Sequence, residues 1–232
     1  MTKIKNVPFE FKDEVIDGKH ILTLSGAIRK KYWSDDEAID AKSIRDALDS
    51  VTDDILIKLN SPGGDVFEGI EIYNYLKDHP SKVTVEVVGV AASAATFIIS
   101  GADKVVMNTG TTIMIHEAST FTWGNKQDIQ KTLNALETID ESIVSIYVEK
   151  TGQSEQQLID WMNEETWFTS QEAVDYGFAD EIKPTKKEDS NSEGISDERI
   201  AQAIASFFNN QKQQVILKPT NKSLINRLRK GE

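Results

Sequence analysis

Hydrophobic positions along the first 115 residues fall into two alternating periods. His20-Ile21-Leu22-Thr23-Leu24, Asp54-Ile55-Leu56-Ile57-Lys58-Leu59 and Val83-Thr84-Val85-Glu86-Val87 are rich in β-branched residues, and Ile113-Met114-Ile115 is a short apolar run. Each predicts a strand. Between them the apolar positions are spaced three or four apart: Ala41, Ile44, Leu48 and Val51, then Val66, Ile70, Tyr73 and Leu76. That spacing predicts helices with one buried face. Ser34-Asp35-Asp36-Glu37 reads as a capping box that opens the first of them. Residues 94–100 lack Gly and Pro and read as a further helix. Strand and helix in alternation predict an α/β fold, a mainly parallel sheet with crossover helices.

The second half of the chain is dominated by a helical pattern from Asn125 to about Lys150, with Ile129, Leu133, Leu136, Ile139, Ile143 and Ile146 on one stripe. Core packing and subunit contact both account for such a stripe. Ser154-Glu155-Gln156-Gln157 and Thr169-Ser170-Gln171-Glu172 read as capping boxes of short helices, the second ending at Gly177. Residues 1–19, with Phe9, Phe11, Val15 and Ile16 among charges, read as an N-terminal arm or extra strand. Residues 20–183 form the main domain and 184–199 a polar linker. Residues 200–232 read as a short helical or disordered basic tail, the apolar residues from Ile200 to Phe208 being compatible with a short helix. From Gln211 onward six Lys and Arg face one acid, in a chain whose net charge is −12.

Composition narrows the chemistry. A hydrophobic content of 39% over 232 residues suffices for a core without staples. The chain has no cysteine, which removes disulfides, thiolate catalysis and cysteine-ligated zinc. Three scattered histidines do not support a catalytic metal, and no cofactor is expected. The acidic balance argues against nucleic acid as a partner. No stretch is apolar enough to span a bilayer and no secretory signal opens the chain, so cytoplasmic residence is the expectation.

Three segments carry candidate chemistry. Gly89-Val90-Ala91-Ala92-Ser93-Ala94-Ala95-Thr96 sets one serine among tiny residues at a strand-to-helix junction. There it would meet free backbone N–H groups at the positive end of a helix. Ser93 is a candidate nucleophile; the alternative is a packing serine or a cap. Asn60-Ser61-Pro62-Gly63-Gly64-Asp65 joins a strand to a helix and would present bare N–H donors suited to an oxyanion. The alternative is an ordinary turn using Gly for positive φ. It is neither a phosphate-binding P-loop nor a dinucleotide fingerprint. Among the histidines, His20 lies near the amino end and His79 sits in a solvated helix stop, Asp78-His79-Pro80. His116 follows a core strand at its carboxyl end, where sites collect in open α/β folds. Imidazole is also well matched in pKa to deprotonating a serine hydroxyl.

In order and spacing, Asn60-Ser61-Pro62-Gly63-Gly64, Ala91-Ala92-Ser93, Met114-Ile115-His116 and Glu172-Ala173-Val174-Asp175-Tyr176-Gly177 resemble the proteolytic subunit of the Clp protease, over residues 20 to 183. Within that family the chain looks most like the Clp-related head maturation proteases of phages and prophages. Asp65-Val66-Phe67-Glu68-Gly69, Trp123-Gly124-Asn125 and Glu165-Thr166-Trp167-Phe168-Thr169 carry that likeness. The resemblance implies the ClpP/crotonase-like fold with a protruding strand-helix handle. It implies Ser93 as nucleophile, His116 as general base, and the N–H groups of Gly64 and Ala94 as oxyanion donors. The third triad member of the family is an aspartate seven residues before the glutamate of Glu-Ala-Val. Here that position is Glu165, with Glu164 as a neighbouring competitor.

The expected function is a serine endopeptidase that cleaves capsid, scaffold or portal proteins during head maturation. Its partners would be that polypeptide substrate and copies of itself, in a heptameric ring or two stacked rings. Residues 1–19 do not look like the segment that meets an ATPase unfoldase in Clp peptidases, which argues against that partner without removing it. Three alternatives stand beside this reading: an ATPase-partnered Clp-type peptidase, a catalytically inactive ring-forming scaffold, and a crotonase-type acyl-CoA enzyme. The serine and histidine argue against the last.

Overall fold

The computed structural model describes residues 7–33 and 35–184. They fall within one of the two units into which the chain divides, Met1–Thr185. The basic tail, and the linker from residue 185 on, lie outside the described residues. Among the described residues eight strands and six helices follow one another as β1 (Glu10–Ile16), β2 (Lys19–Ser25), α1 (Ala41–Leu48), β3 (Ile55–Ser61), α2 (Val66–Lys77), β4 (Val83–Ala92), α3 (Ala95–Ser100), β5 (Lys104–Met107), β6 (Thr112–Ile115), α4 (Lys126–Thr151), α5 (Glu155–Asn163), β7 (Thr166–Thr169), α6 (Ser170–Asp175) and β8 (Glu181–Ile182).

Strands β2, β3 and β4 are parallel neighbours at the centre of the sheet, whose order is β1-β2-β3-β4-β5-β8. Alternation sets their faces: in β3, Ile55, Ile57, Leu59 and Ser61 are buried while the residues between are half-buried. The long β4 serves two partners. Thr84–Val87 pair with β5, and Val90–Ala92 pair with β6, both parallel. β6 then pairs antiparallel with β7. Asn60 braces the register shift that separates β3 from β4 beyond Leu59, its Oδ1 accepting the Val90 N–H at 3.1 Å.

The core runs between this sheet and its helices, with Leu22, Leu24, Ile57, Leu59, Val85 and Val87 from the strands meeting Ile44, Leu48, Ile72, Phe97 and Ile98 from the helices. Burying each such side chain contributes about 1.5–3 kcal/mol. The N-terminal residues form β1, antiparallel to β2 in the register Glu10↔Ser25. Lys31 Nζ lies over the Phe9 and Phe11 rings, at 5.5 and 5.2 Å from their centroids, and ties this strand down.

Two local expectations are corrected, and the α4 stripe that sequence left open is divided. Helix α1 begins at Ala41, capped by the Asp40 side chain, which accepts the Ser43 N–H; residues 35–40 precede the helix. A buried Ile39, bridged to Ile28, holds that stretch extended against the sheet. His79 is half-buried rather than solvated: its Nε2 lies 3.1 Å from the Leu48 carbonyl and its Nδ1 accepts the Ser81 N–H. The stripe of α4 divides. Ile143 and Ile146 are buried in the core, while Ile129 and Leu133 in the first half are each 48% exposed.

Candidate active site

At the end of β4 the chain turns sharply into α3, and Ser93 sits on the turn with φ +54°. A non-glycine residue in that region costs on the order of 1–3 kcal/mol and is held only by its surroundings. Three bonds hold it. The Ser93 N–H donates to the Met114 carbonyl at 2.8 Å, and the Ser93 carbonyl accepts from the Thr96 N–H at 2.8 Å and the Thr96 hydroxyl at 2.6 Å. Thr96 is braced in turn by the buried Tyr147 hydroxyl of α4, 2.5 Å away. The small residues around Ser93 are what allow the turn to pack.

His116 follows β6, and pairing of β6 with the last residues of β4 carries it to the serine. Its Nε2 lies 2.8 Å from Ser93 Oγ. With the imidazole proton on Nδ1, the hydroxyl donates to Nε2, the geometry a general base needs. Burial pulls the His116 pKa below its ordinary value, against the carboxylates of Glu165, Asp140 and Glu117, which raise it. The imidazole is therefore neutral near pH 7.

Glu165 reaches the same place through β7. The antiparallel register runs from Thr112↔Thr169 to Ile115↔Thr166. Ile115↔Thr166 is the last pair, so His116 follows the ladder by one residue on one side and Glu165 precedes it by one on the other. Glu165 is half-buried with φ +51°, whereas Glu164 is exposed and caps α5. Of the charges acting on His116, that of Glu165 is the largest. Ser93 and Glu165 are two of the three described non-glycine residues at positive φ; strain of this kind collects at functional sites.

The Gly63-Gly64 turn lies against the serine turn. A Cβ on Gly63 would meet the Ala92 carbonyl at 2.4 Å and Ser93 Cβ at 2.7 Å, and one on Gly64 would meet the Ile28 carbonyl at 1.9 Å. With φ of +87° and +153°, both positions demand glycine. The bridge to Ile28 uses the Gly63 carbonyl and the Asp65 N–H, so the exposed Gly64 N–H takes no part in it. In α3 the first bonds are donated by Thr96 and Phe97, which leaves the Ala94 N–H outside the helix's own pairing. A pocket of about 40 Å³ opens here, lined by Gly64, Val66, Ser93, Phe97, His116 and Tyr147 among others.

All five residues expected from the sequence thus lie at one end of the sheet. Three others went unrecognised there: Thr96 and Tyr147, which support the serine, and Asp140. The Asp140 carboxylate accepts the Ala118 N–H at 2.7 Å and so fixes the segment after His116; burial raises its pKa. The only sequence signal was the seven-residue spacing of Asp140 and Tyr147, which places both on the inward face of α4. Among the described residues no group of His, Asp or Glu is placed to hold a metal, and no helix is long and apolar enough to cross a membrane.

A family model described as Clp protease matches residues 35–186. Among curated proteins, the chain is 36% identical over 138 residues to the ATP-dependent Clp protease proteolytic subunit 1 of Streptomyces avermitilis, covering 59% of this chain and 63% of that one. It is 33% identical over 133 residues to the proteolytic subunit 2 of Corynebacterium glutamicum, covering 56% and 66%. The chain therefore spans just under two thirds of the length of these relatives. Among solved structures, a ClpP1 mutant from Listeria monocytogenes superimposes with a TM-score of 0.62 at 26% identity, over 72% of this chain and 92% of that one.

Proposed function

Because the chain belongs to the Clp protease family, we propose that it is a serine endopeptidase. Ser93 Oγ attacks the substrate carbonyl while His116 Nε2 takes its proton. The N–H groups of Gly64 and Ala94 receive the oxyanion, a contribution of roughly 3–4 kcal/mol for each such donor. His116 returns the proton to the leaving amine, and water then hydrolyses the acyl-enzyme by the same steps in reverse. Glu165 holds the imidazole tautomer and offsets the charge of the imidazolium. The observation that carries this reading is the 2.8 Å contact between His116 Nε2 and the strained Ser93.

The finer reading is a head maturation protease acting on capsid, scaffold or portal protein, working as a ring of its own copies. Its support is the set of motifs around Asp65, Trp123 and Glu165, together with the additional edge strand β1. A second reading rests on the relatives, whose names describe ATP-dependent proteases: a Clp-type peptidase fed by an ATPase unfoldase.

Labelling with a fluorophosphonate probe tests the chemistry. The native chain is expected to label, and Ser93→Ala and His116→Ala to fail while remaining folded and assembled. Equal labelling of Ser93→Ala would remove Ser93 as nucleophile. Cleavage of a phage capsid protein without ATP then supports the head maturation reading, whereas degradation only with an unfoldase and ATP supports the second.

A further inference from the structure

Ser93 contributes its own Oγ to the proposed chemistry and, through the peptide bond that follows it, fixes the Ala94 N–H. That peptide is trans and planar, so the Ala94 N–H points opposite to the Ser93 carbonyl. Whatever holds the carbonyl therefore aims the N–H. A Cβ on Gly63 would lie 2.9 Å from the Ala94 nitrogen, which sets that nitrogen against the glycine turn carrying Gly64.

The Ser93 carbonyl is held by Thr96, whose N–H donates at 2.8 Å and whose hydroxyl donates at 2.6 Å. A threonine on a helix often bonds a carbonyl one turn back. Here a side chain from a distant helix joins it. Tyr147 Oη lies 2.5 Å from Thr96 Oγ1. The single proton of the Thr96 hydroxyl goes to the Ser93 carbonyl, so Tyr147 is the donor in this second bond. Each bond of such a chain polarises the next. Tyr147 is 1% exposed, and its ring is held between Phe97 and Phe178 at centroid distances of 5.9 and 5.7 Å. Phenylalanine would fill that space without burying a hydroxyl, a group that is costly to leave unpaired. Burial also raises the Tyr147 pKa, which keeps the hydroxyl a donor at neutral pH.

We infer that Thr96 and Tyr147 are positioning residues, which set the plane of the Ser93–Ala94 peptide and so aim an oxyanion donor. The inference rests on the peptidase reading and adds a support to its machinery. It is tested on the full chain by kcat and KM for a fluorogenic peptide, inhibition by the boronic acid of the same peptide, and the urea midpoint. Thr96→Val strands the Tyr147 hydroxyl and should lower the midpoint. Thr96→Val combined with Tyr147→Phe removes both hydroxyls and should regain most of that loss. Activity should not follow stability: in both variants kcat is expected to fall about tenfold or more, with KM little changed. Tyr147→Phe alone should lower kcat by less, and Thr96→Ser, which keeps the hydroxyl, should restore it. In the boronate adduct Ser93 Oγ bonds boron, its proton passes to His116, and a boron oxygen takes the oxyanion's place. The boronate should therefore weaken by the factor that kcat/KM loses. Recovery of kcat together with stability in the double variant, or undiminished boronate binding in it, overturns the inference and leaves the peptidase standing. An unaltered chain that cleaves none of a panel of such peptides overturns the peptidase reading, and this inference with it.

Discussion

At Ser93, Gly64 and His116 the chemistry is written in residues whose neighbours in sequence are also their neighbours in space. This is why they were legible: a serine among alanines, a glycine pair after a strand, a histidine at a strand end. Asp140 was not, because a carboxylate on a long helix reads as a solvated face until the segment after His116 folds back onto it. The electrostatics of His116 give a signed prediction. Burial lowers its pKa, so the acid limb of the kcat/KM profile should fall below pH 6.5, the ordinary histidine value. Glu165 and Asp140 both favour the imidazolium. Glu165→Gln should therefore move that limb to still lower pH while reducing kcat, and Asp140→Asn should move it the same way by less. A limb that rises in Glu165→Gln would break the assignment of that carboxylate. Gly64→Ala adds a Cβ that would meet the Ile28 carbonyl and would disturb the proposed oxyanion donor, and a fall in kcat of about 10²-fold or more is expected in steady-state assays.

Among the elements, β2 and β3 were read close to their ends, whereas β4 was read only to Val87 and runs on to Ala92, because Gly89 and the small residues after Val90 carry no β-branched alternation. The start of α1 was displaced by several residues. Ser34-Asp35-Asp36-Glu37 has the composition of a capping box, but Ile39 is drawn into the core beside Ile28, so the chain stays extended and Asp40 takes the capping role. Asp40→Ala should accordingly destabilise the fold by about 1 kcal/mol, measured by urea denaturation. The Thr169 capping box formed as expected, each partner satisfying the other's backbone N–H. Its consequence reaches beyond α6, because Thr169 also pairs with Thr112 at the end of the β6–β7 ladder.

For the molecule as a whole, the division of the α4 stripe has consequences for assembly. Its second half is core, while its first half continues an exposed apolar surface with Phe121 and Trp123, at 91% and 85% exposure. Sequence could not separate these roles, since both follow one helical period. If copies of the chain cover this surface in a ring assembly, Ile129→Asp combined with Leu133→Asp should yield smaller species in sedimentation velocity without unfolding the chain. The same dimensions unaltered in that variant would remove α4 from the contact. The β6–β7 ladder bears on a different moment in the life of the protein. The charge of Glu165 is brought to bear on His116 only by joining segments separated by two helices, and β7 is among the last parts of the domain to be synthesised. A growing polypeptide on the ribosome carries its serine, histidine and glycine turn long before the carboxylate that should orient them. If Glu165 completes the site as proposed, the site cannot be complete until translation has passed Thr169.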